Sequence, residues 1–597
     1  MSALSWIGDV LLTFRVPDET FPGRSGSDQW ARVVTHQDTT LWLQPASRSW
    51  HGFPYRAMSG ETWQAWILGE IVAGPLLEGA NVNTSVDVVG LAAALQQCSG
   101  NFVALAHETG TGHWHIMTNR FGTLHVYYAS DGRRAALGTF FPAVAAAASR
   151  RQLDWLGLAG FFTFGFFPQD RTYVDDIRIL RPATHAVFDA SGQAMSQRRA
   201  WQWQHTPDPQ RSCDDTVQEF ARVFAEVMAD HTKAGRIAIP ISGGLDSRST
   251  VAAITRPGDA TPPDPRFWAY SYGYDDASVE TRIARQVAVA RGLPFTAFTI
   301  RPYLFDRLEQ VLASVEGFQD VTQCRQAAVV EELRQRADFV IAAHWGDVWL
   351  DDMGLVDKKD CLSETEICAY AFKKMAKGGR EWLIEHVCQP QLPGLDIQAA
   401  LAEMVQEEMA AFAHLEDADF RIKAFKTDQW SFRWTEASLR MFQAAAFPRL
   451  PFYDNRLADF FGTVPSKFVA GRRLQIDYLK RFAPDLARIT WQVFDADLYC
   501  YHHFHTWLLP KRALKKAWRL LSRQRVIERN WEVQFLSEGG RRSLEQWLLR
   551  PGAKIHDLVA PAEIQALLHE FYQAPLQSKR GYAVCMLLTL AGWLAYF

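Results

Sequence analysis

The residues best suited to chemistry are Ser242, Gly243, Gly244, Asp246 and Ser247, which follow the apolar run Ile237-Ala238-Ile239-Pro240-Ile241. β-branched residues alternating at period two predict a buried strand. Gly243 and Gly244 permit a sharp turn that brings backbone N–H groups close to an anion. A helix expected from about residue 248 points its positive end at the same place, and the Ser242 and Ser247 hydroxyls add donors. Asp246 repels a phosphate unless a divalent cation lies between them, so its presence implies Mg2+. No lysine follows the glycines, which excludes a Walker A loop. Gly-Gly-Leu-Asp alone would also suit a turn without a ligand; the full Ser-Gly-Gly-Leu-Asp-Ser string after a strand predicts a pyrophosphate-gripping loop.

These residues need a rigid scaffold. From about residue 210 helical periods alternate with apolar strands, the pattern of a doubly wound parallel sheet. A helix is expected over 214–233 before the 237–241 strand. A second strand, 267–273, ends at small residues where an adenine edge can approach the backbone, and a helix over 275–292 carries Glu280, Arg282 and Arg285. Residues 1–205 instead read as short strands (6–14, 40–43, 66–72, 101–107, 113–118 and 126–129) in packed β-sheets with a few helices. The expected class is α/β, an α+β sandwich over 1–205 followed by a doubly wound domain with a helical extension over 206–597.

Composition narrows the function. The chain has 597 residues, 48% hydrophobic and 22% charged, with a formal net charge of −3. That is ordinary for a water-soluble protein of two domains and argues against general nucleic-acid binding. Eight cysteines without a Cys-x-x-Cys pair suit buried thiols in a reducing cytoplasm. The first twenty residues lack a signal-peptide pattern. The apolar run 583–594 is shorter than the ~20 residues of a spanning helix, so a buried closing helix and no membrane contact are expected. His502, His503 and His505 lack metal-ligand spacing. Residues 511–525 form a basic amphipathic pattern, read as a solvated face over Leu514, Trp518 and Leu521.

The Ser242–Ser247 string resembles the signature of ATP pyrophosphatases, which split ATP between its α and β phosphates. A second stretch, ending in Ala343-His344-Trp345-Gly346-Asp347-Val348, resembles the Gly-His-Gly-Gly-Asp-Glu loop of asparagine synthetases. The likeness puts Asp347 at a second Mg2+ carboxylate and Gly346 in the pyrophosphate loop, with Ser271 and Gly273 lining the adenosine pocket. Asp246 and Asp347, at the ends of separate strands, then converge at the carboxyl edge of one sheet. Residues 119–128 and 176–183 resemble class II glutamine amidotransferase domains. In that family a Cys after the initiator Met attacks glutamine and Asn-Gly-Glu supplies oxyanion donors; here Ser2 and Leu68-Gly69-Glu70 stand instead, implying an inactive glutaminase.

Further departures bear on the acceptor. Phe447 replaces the Glu that helps asparagine synthetases bind aspartate, and Gln492 falls where relatives carry a catalytic Lys. Lys467, Arg472, Arg473 and Lys480 are the candidate substitutes. In β-lactam synthetases a Tyr and a Glu deprotonate the attacking nitrogen; His344 and Glu436 occupy those places. They form a general base and its orienter, or else His344 caps a strand while Glu436 pairs with Arg433 or Arg440.

With glutaminase and aspartate sites altered, the chain most resembles lasso-peptide cyclases. The likeness implies ATP and Mg2+, adenylation of an Asp or Glu side chain of a precursor peptide, and attack by the peptide's own N-terminal amine, releasing AMP and pyrophosphate. It also implies a leader peptidase and a leader-recognition protein as partners. The alternatives are a β-lactam-synthetase-like small-molecule ligase, a synthetase using ammonia or another amine, and a nucleotide-binding scaffold without turnover.

Overall fold

A computed structural model describes residues 5–17, 21–24, 29–77, 86–148, 152–255, 264–275, 278–356, 362–504, 506, 509–510, 514, 527–576 and 579–596. Ser2, Cys361, His505 and all of the basic 511–525 segment except Leu514 lie outside the described residues.

Twelve strands precede residue 200: β1 (Ser5–Phe14), β2 (Ala31–His36), β3 (Thr39–Pro45), β4 (Phe53–Ser59), β5 (Trp63–Ala73), β6 (Ser99–Glu108), β7 (Trp114–Thr118), β8 (Tyr127–Ser130), β9 (Ala135–Gly138), β10 (Ile177–Ile179), β11 (Thr184–Phe188) and β12 (Ala194–Arg199). They form one hydrogen-bonded antiparallel sheet in the order β10-β8-β9-β1-β4-β5-β6-β7-β11-β12, with β3 on β1 and β2 on β3. β1 joins the halves because residues 5–7 pair with β4 and residues 11–14 with β9.

Alternation of side chains sorts the two faces. Trp63, Ala65, Ile67, Phe102, Ala104 and Ala106 pack on the helix Val88–Gln96 through Val88, Leu91 and Leu95. Trp66, Leu68, Val103 and Leu105 face the larger core, which continues without a break into the rest of the molecule.

Five parallel strands follow: β13 (Ile237–Pro240), β14 (Phe267–Gly273), β15 (Phe295–Thr299), β16 (Phe339–Ile341) and β17 (Phe447–Arg449), in the order β15-β14-β13-β16-β17. The chain first builds outward from β13 to β15 and then returns to its other side at β16. The strand order thus reverses between β13 and β16, where ligands of open α/β sheets bind. The antiparallel sheet followed by a parallel one gives the expected α/β class. The predicted helices are present as Cys213–His231, capped by Ser212, and Val279–Ala290. The terminal apolar run lies in the helix Arg580–Tyr596, buried from Ala583 to Trp593 except at its far end. Among the described residues no helix is long and apolar enough to cross a membrane.

The two sheets meet through residues 447–456. Arg449 donates two 2.7 Å hydrogen bonds to Glu70, and its guanidinium lies 3.5 Å over the Phe339 ring. Asn101 Nδ2 donates to the Pro448 carbonyl, and Ser99 Oγ to Asp454. Asp454 is fully buried and also accepts from Arg456 at 2.8 Å. Burial alone would raise its pKa, yet Arg456 and His231 hold it well below the usual carboxylate range. The folded state therefore binds fewer protons than the unfolded chain. That stabilisation is complete above about pH 4, the unfolded pKa, and is lost as pH falls below it. Asp454→Asn should destabilise the protein by about 3 kcal/mol near pH 7, with the gap to wild type narrowing below pH 4 in denaturant titrations.

Candidate active site

The loop after β13 is held from within. The Ser242 N–H donates to Ser247 Oγ at 3.0 Å, and the Gly244 N–H donates to Ser242 Oγ at 3.1 Å. The helix Asp246–Ile254 starts directly from this turn. Gly243 has no room for a side chain, since a Cβ there would lie 2.0 Å from Gln492 Oε1. Arg248, fully buried, donates to the carbonyls of Leu486, Ile489 and Thr490 and fixes that crossing segment. Gln492 thus abuts the loop and brings no charge.

The loop after β16 approaches the first one closely. A Cβ on Gly346 would sit 3.0 Å from Asp246 Cβ and from the Phe452 ring. Trp345 has a left-handed backbone at φ 73°, a conformation costing roughly 1–3 kcal/mol for a bulky residue. Its indole donates to Thr427 Oγ1 at 3.0 Å, which pins the strained turn.

Both loops open into a cavity of about 490 Å³. Of the residues predicted from sequence, Ser242, Asp246, Ser247, Ser271, His344 and Asp347 line it. Gly243, Gly244 and Gly346 shape the loops, whereas Gly273 packs against Ser278, where a Cβ would be only 2.4 Å away. Tyr270, Tyr272, Trp345, Trp430 and Trp434 give the cavity aromatic walls, and Glu280, Arg325 and Lys426 add charge.

Glu436 departs from expectation. It is 4% exposed, does not line the cavity, and its Oε1 has no hydrogen-bond partner among the described residues. Burial pushes its pKa well up, and the Arg440 charge offsets part of that rise. No hydrogen bond joins it to His344, so the base–orienter contact expected from sequence is not formed. The cause is the π-helix Thr427–Thr435, whose wider turn presents Trp430, Trp434 and Thr435 to the cavity and leaves Glu436 behind them. Burial also lowers the His344 pKa, to about 4, making it a neutral imidazole.

The acids fit a divalent ion. Burial raises the Asp246 pKa, and Asp347 adds to the rise, while Arg472 opposes it. Asp246 Oδ1 accepts from Arg472 at 2.9 Å and Gln475 at 3.0 Å. Its other oxygen and the whole Asp347 carboxylate accept no hydrogen bond among the described residues. No cluster of three or more potential ligands exists among the described residues. An ion between the two carboxylates would therefore take its remaining ligands from water and phosphate oxygens, as Mg2+ does. Arg472 is the one member of the four candidate cations that reaches these acids. Arg473 pairs with Asp477, Lys480 packs on Tyr499 and Tyr501, and Lys467 packs on Phe468. Lys426 escaped the sequence reading. Nothing in Arg421-Ile422-Lys423-Ala424-Phe425-Lys426-Thr427-Asp428, which mixes charged and apolar residues, singles it out.

No protein-family model matches the chain, and no curated protein matches it. Among solved structures, the allosteric regulatory enzyme of purine biosynthesis overlaps 50% of this chain and 76% of its own, at 8% identity and a TM-score of 0.21. Glutamine phosphoribosylpyrophosphate amidotransferase from B. subtilis, complexed with ADP and GMP, overlaps 51% of this chain and 62% of its own, at 9% identity and a TM-score of 0.18. Overlaps this slight transfer neither fold nor activity.

On the proposal that Asp246 and Asp347 jointly hold the Mg2+ of a bound ATP, the ion would be lost with either carboxylate. Asp246→Asn and Asp347→Asn should each weaken Mg2+-dependent ATP binding about tenfold or more. The double variant should be little worse than the weaker single one, a non-additivity that calorimetric titration reads directly.

Proposed function

We propose that this cavity is the active site of an ATP-dependent, AMP-forming carbon–nitrogen ligase that closes a macrolactam ring within a precursor peptide. The observation that carries the proposal is the meeting of the Ser242–Ser247 and His344–Asp347 loops at the strand-order reversal, with both carboxylates facing one cavity. In this reading the first loop and the start of the helix Asp246–Ile254 hold the ATP phosphates, and Ser271 faces the adenosine. Asp246 and Asp347 would hold Mg2+, which neutralises the departing pyrophosphate.

The reaction has two steps. An Asp or Glu carboxylate oxygen of the peptide attacks the α-phosphorus of ATP and pyrophosphate leaves. The peptide's N-terminal nitrogen then attacks the activated carbonyl carbon, AMP leaves, and the amine gives up a proton. An α-amine titrates near pH 8, so on the order of a tenth is neutral at pH 7. Weak base assistance then suffices, and His344, uncharged and on the cavity wall, accepts the proton in this reading. Holding both ends of one peptide together supplies much of the remaining barrier reduction.

Two observations favour an amine from the peptide over glutamine-derived ammonia. Glu70 of the altered Leu68-Gly69-Glu70 triplet is engaged by Arg449 between the sheets. The aromatic walls also suit apolar parts of a peptide chain. A leader peptidase and a leader-recognition protein complete the proposed pathway.

Purified protein incubated with ATP, Mg2+, a candidate precursor and its leader peptidase should give AMP and a core peptide lighter by one water. Asp246→Ala should give neither. AMP formation with only a small amino acid or ammonia, and no change in peptide mass, would replace the macrolactam reading with a small-molecule ligase.

A further inference from the structure

Lys426 is the last residue of the helix Ala418–Lys426, at the point where the π-helix Thr427–Thr435 begins. Its ammonium lies over the rings of Trp345, at 5.7 Å, and Trp430, at 4.8 Å. It makes a long contact to Met353 Sδ at 4.0 Å. It makes no ion pair among the described residues, although its environment is rich in charge. Lys423, one turn earlier, pairs with Asp419, and Arg472 pairs with Asp246 and Asp351. Arg325 lies over Tyr272 beside Glu280. Lys426 thus forms no direct ion pair among the described residues, although the Asp347 charge acts on it.

A largely buried ammonium without a counter-ion is costly. Burial lowers its pKa, with the Asp347 charge partly restoring it. An anionic ligand removes that cost, and the wall that carries Lys426 also carries Trp345, the residue next to His344. Gln492, which abuts the phosphate loop, brings no charge there.

We propose that Lys426 is the catalytic cation of this site, meeting the reacting carboxyl oxygen as charge builds on it during acyl transfer. The inference rests on the adenylating reading above. Lys426 holds the negative charge of the tetrahedral intermediate as the amine nitrogen bonds to the carbonyl carbon. It is released as the carbon–oxygen bond to AMP breaks. The charge comes from the helix that builds the aromatic wall instead of from the segment crossing the phosphate loop.

The test compares wild type, Lys426→Met and Lys426→Arg, using ATP–pyrophosphate exchange with the precursor peptide and mass spectrometry of the cyclised product. Lys426→Met should slow ring closure by about 10²–10³-fold while the KM for ATP stays within about threefold. Lys426→Arg should recover part of the loss. Ring closure at the wild-type rate in Lys426→Met would overturn the role, as would an ATP KM that rises in proportion to the lost rate. An equal loss in Lys426→Arg accompanied by a lowered melting temperature would also overturn it, by making the residue structural. Wild type that forms neither AMP nor cyclised peptide would instead remove the adenylating reading. An active wild type with an equally active Lys426→Met removes Lys426 alone.

Discussion

Four charges sealed from water join the two sheets. Arg24 donates to both oxygens of Asp9 and to Glu316, and Glu316 also receives Arg440 and the Phe141 N–H. Thr139 completes the Asp9 side, and the Trp50 ring lies 3.7 Å from the Arg24 guanidinium. Two acids and two guanidiniums cancel, so nothing is left unpaired in a low-dielectric interior, where a lone charge would be very costly. Asp9 and Arg24 come from the antiparallel region, Glu316 and Arg440 from the region around the parallel sheet. The network therefore fixes the sheets relative to one another.

The same logic recurs at Glu70 and Arg449, where a bidentate pair closes over the end of β17. It links the site to the antiparallel sheet. The Glu70 carboxylate, in the Leu68-Gly69-Glu70 triplet, is committed to holding β17 in place. β17 flanks β16, and β16 leads into the loop that carries His344 and Asp347. The left-handed Trp345 turn and the contact between Gly346 and Asp246 depend on that support.

What the sequence discloses follows from how local each constraint is. The Ser242–Ser247 turn and the Gly346-Asp347 turn are legible because glycine, serine and aspartate at fixed spacing after an apolar strand leave few backbone solutions. The helices Cys213–His231 and Val279–Ala290 are legible from their periods and, in the first case, a serine cap. Glu436 is misplaced because a π-helix shifts the side-chain register by a fraction of a turn, and nothing in Thr427-Asp428-Gln429-Trp430 marks that widening. Lys426 and the Glu70–Arg449 pair are invisible for another reason. Their significance lies in neighbours distant in sequence, 73 residues for Lys426 and Met353 and 379 for the pair.

That separation has a temporal side. Arg24 and Glu316 stand 292 residues apart, and a ribosome adding about 5–20 residues per second needs roughly 15–60 s to make the second after the first. Through that interval the emerging antiparallel sheet has Asp9 for Arg24 but lacks the remaining partners. Its Trp50 and Phe140 surface cannot close over a half-neutralised guanidinium without cost. Synthesis order thus favours a first sheet that stays open and hydrated at this corner, and its final closure waits until the later region arrives.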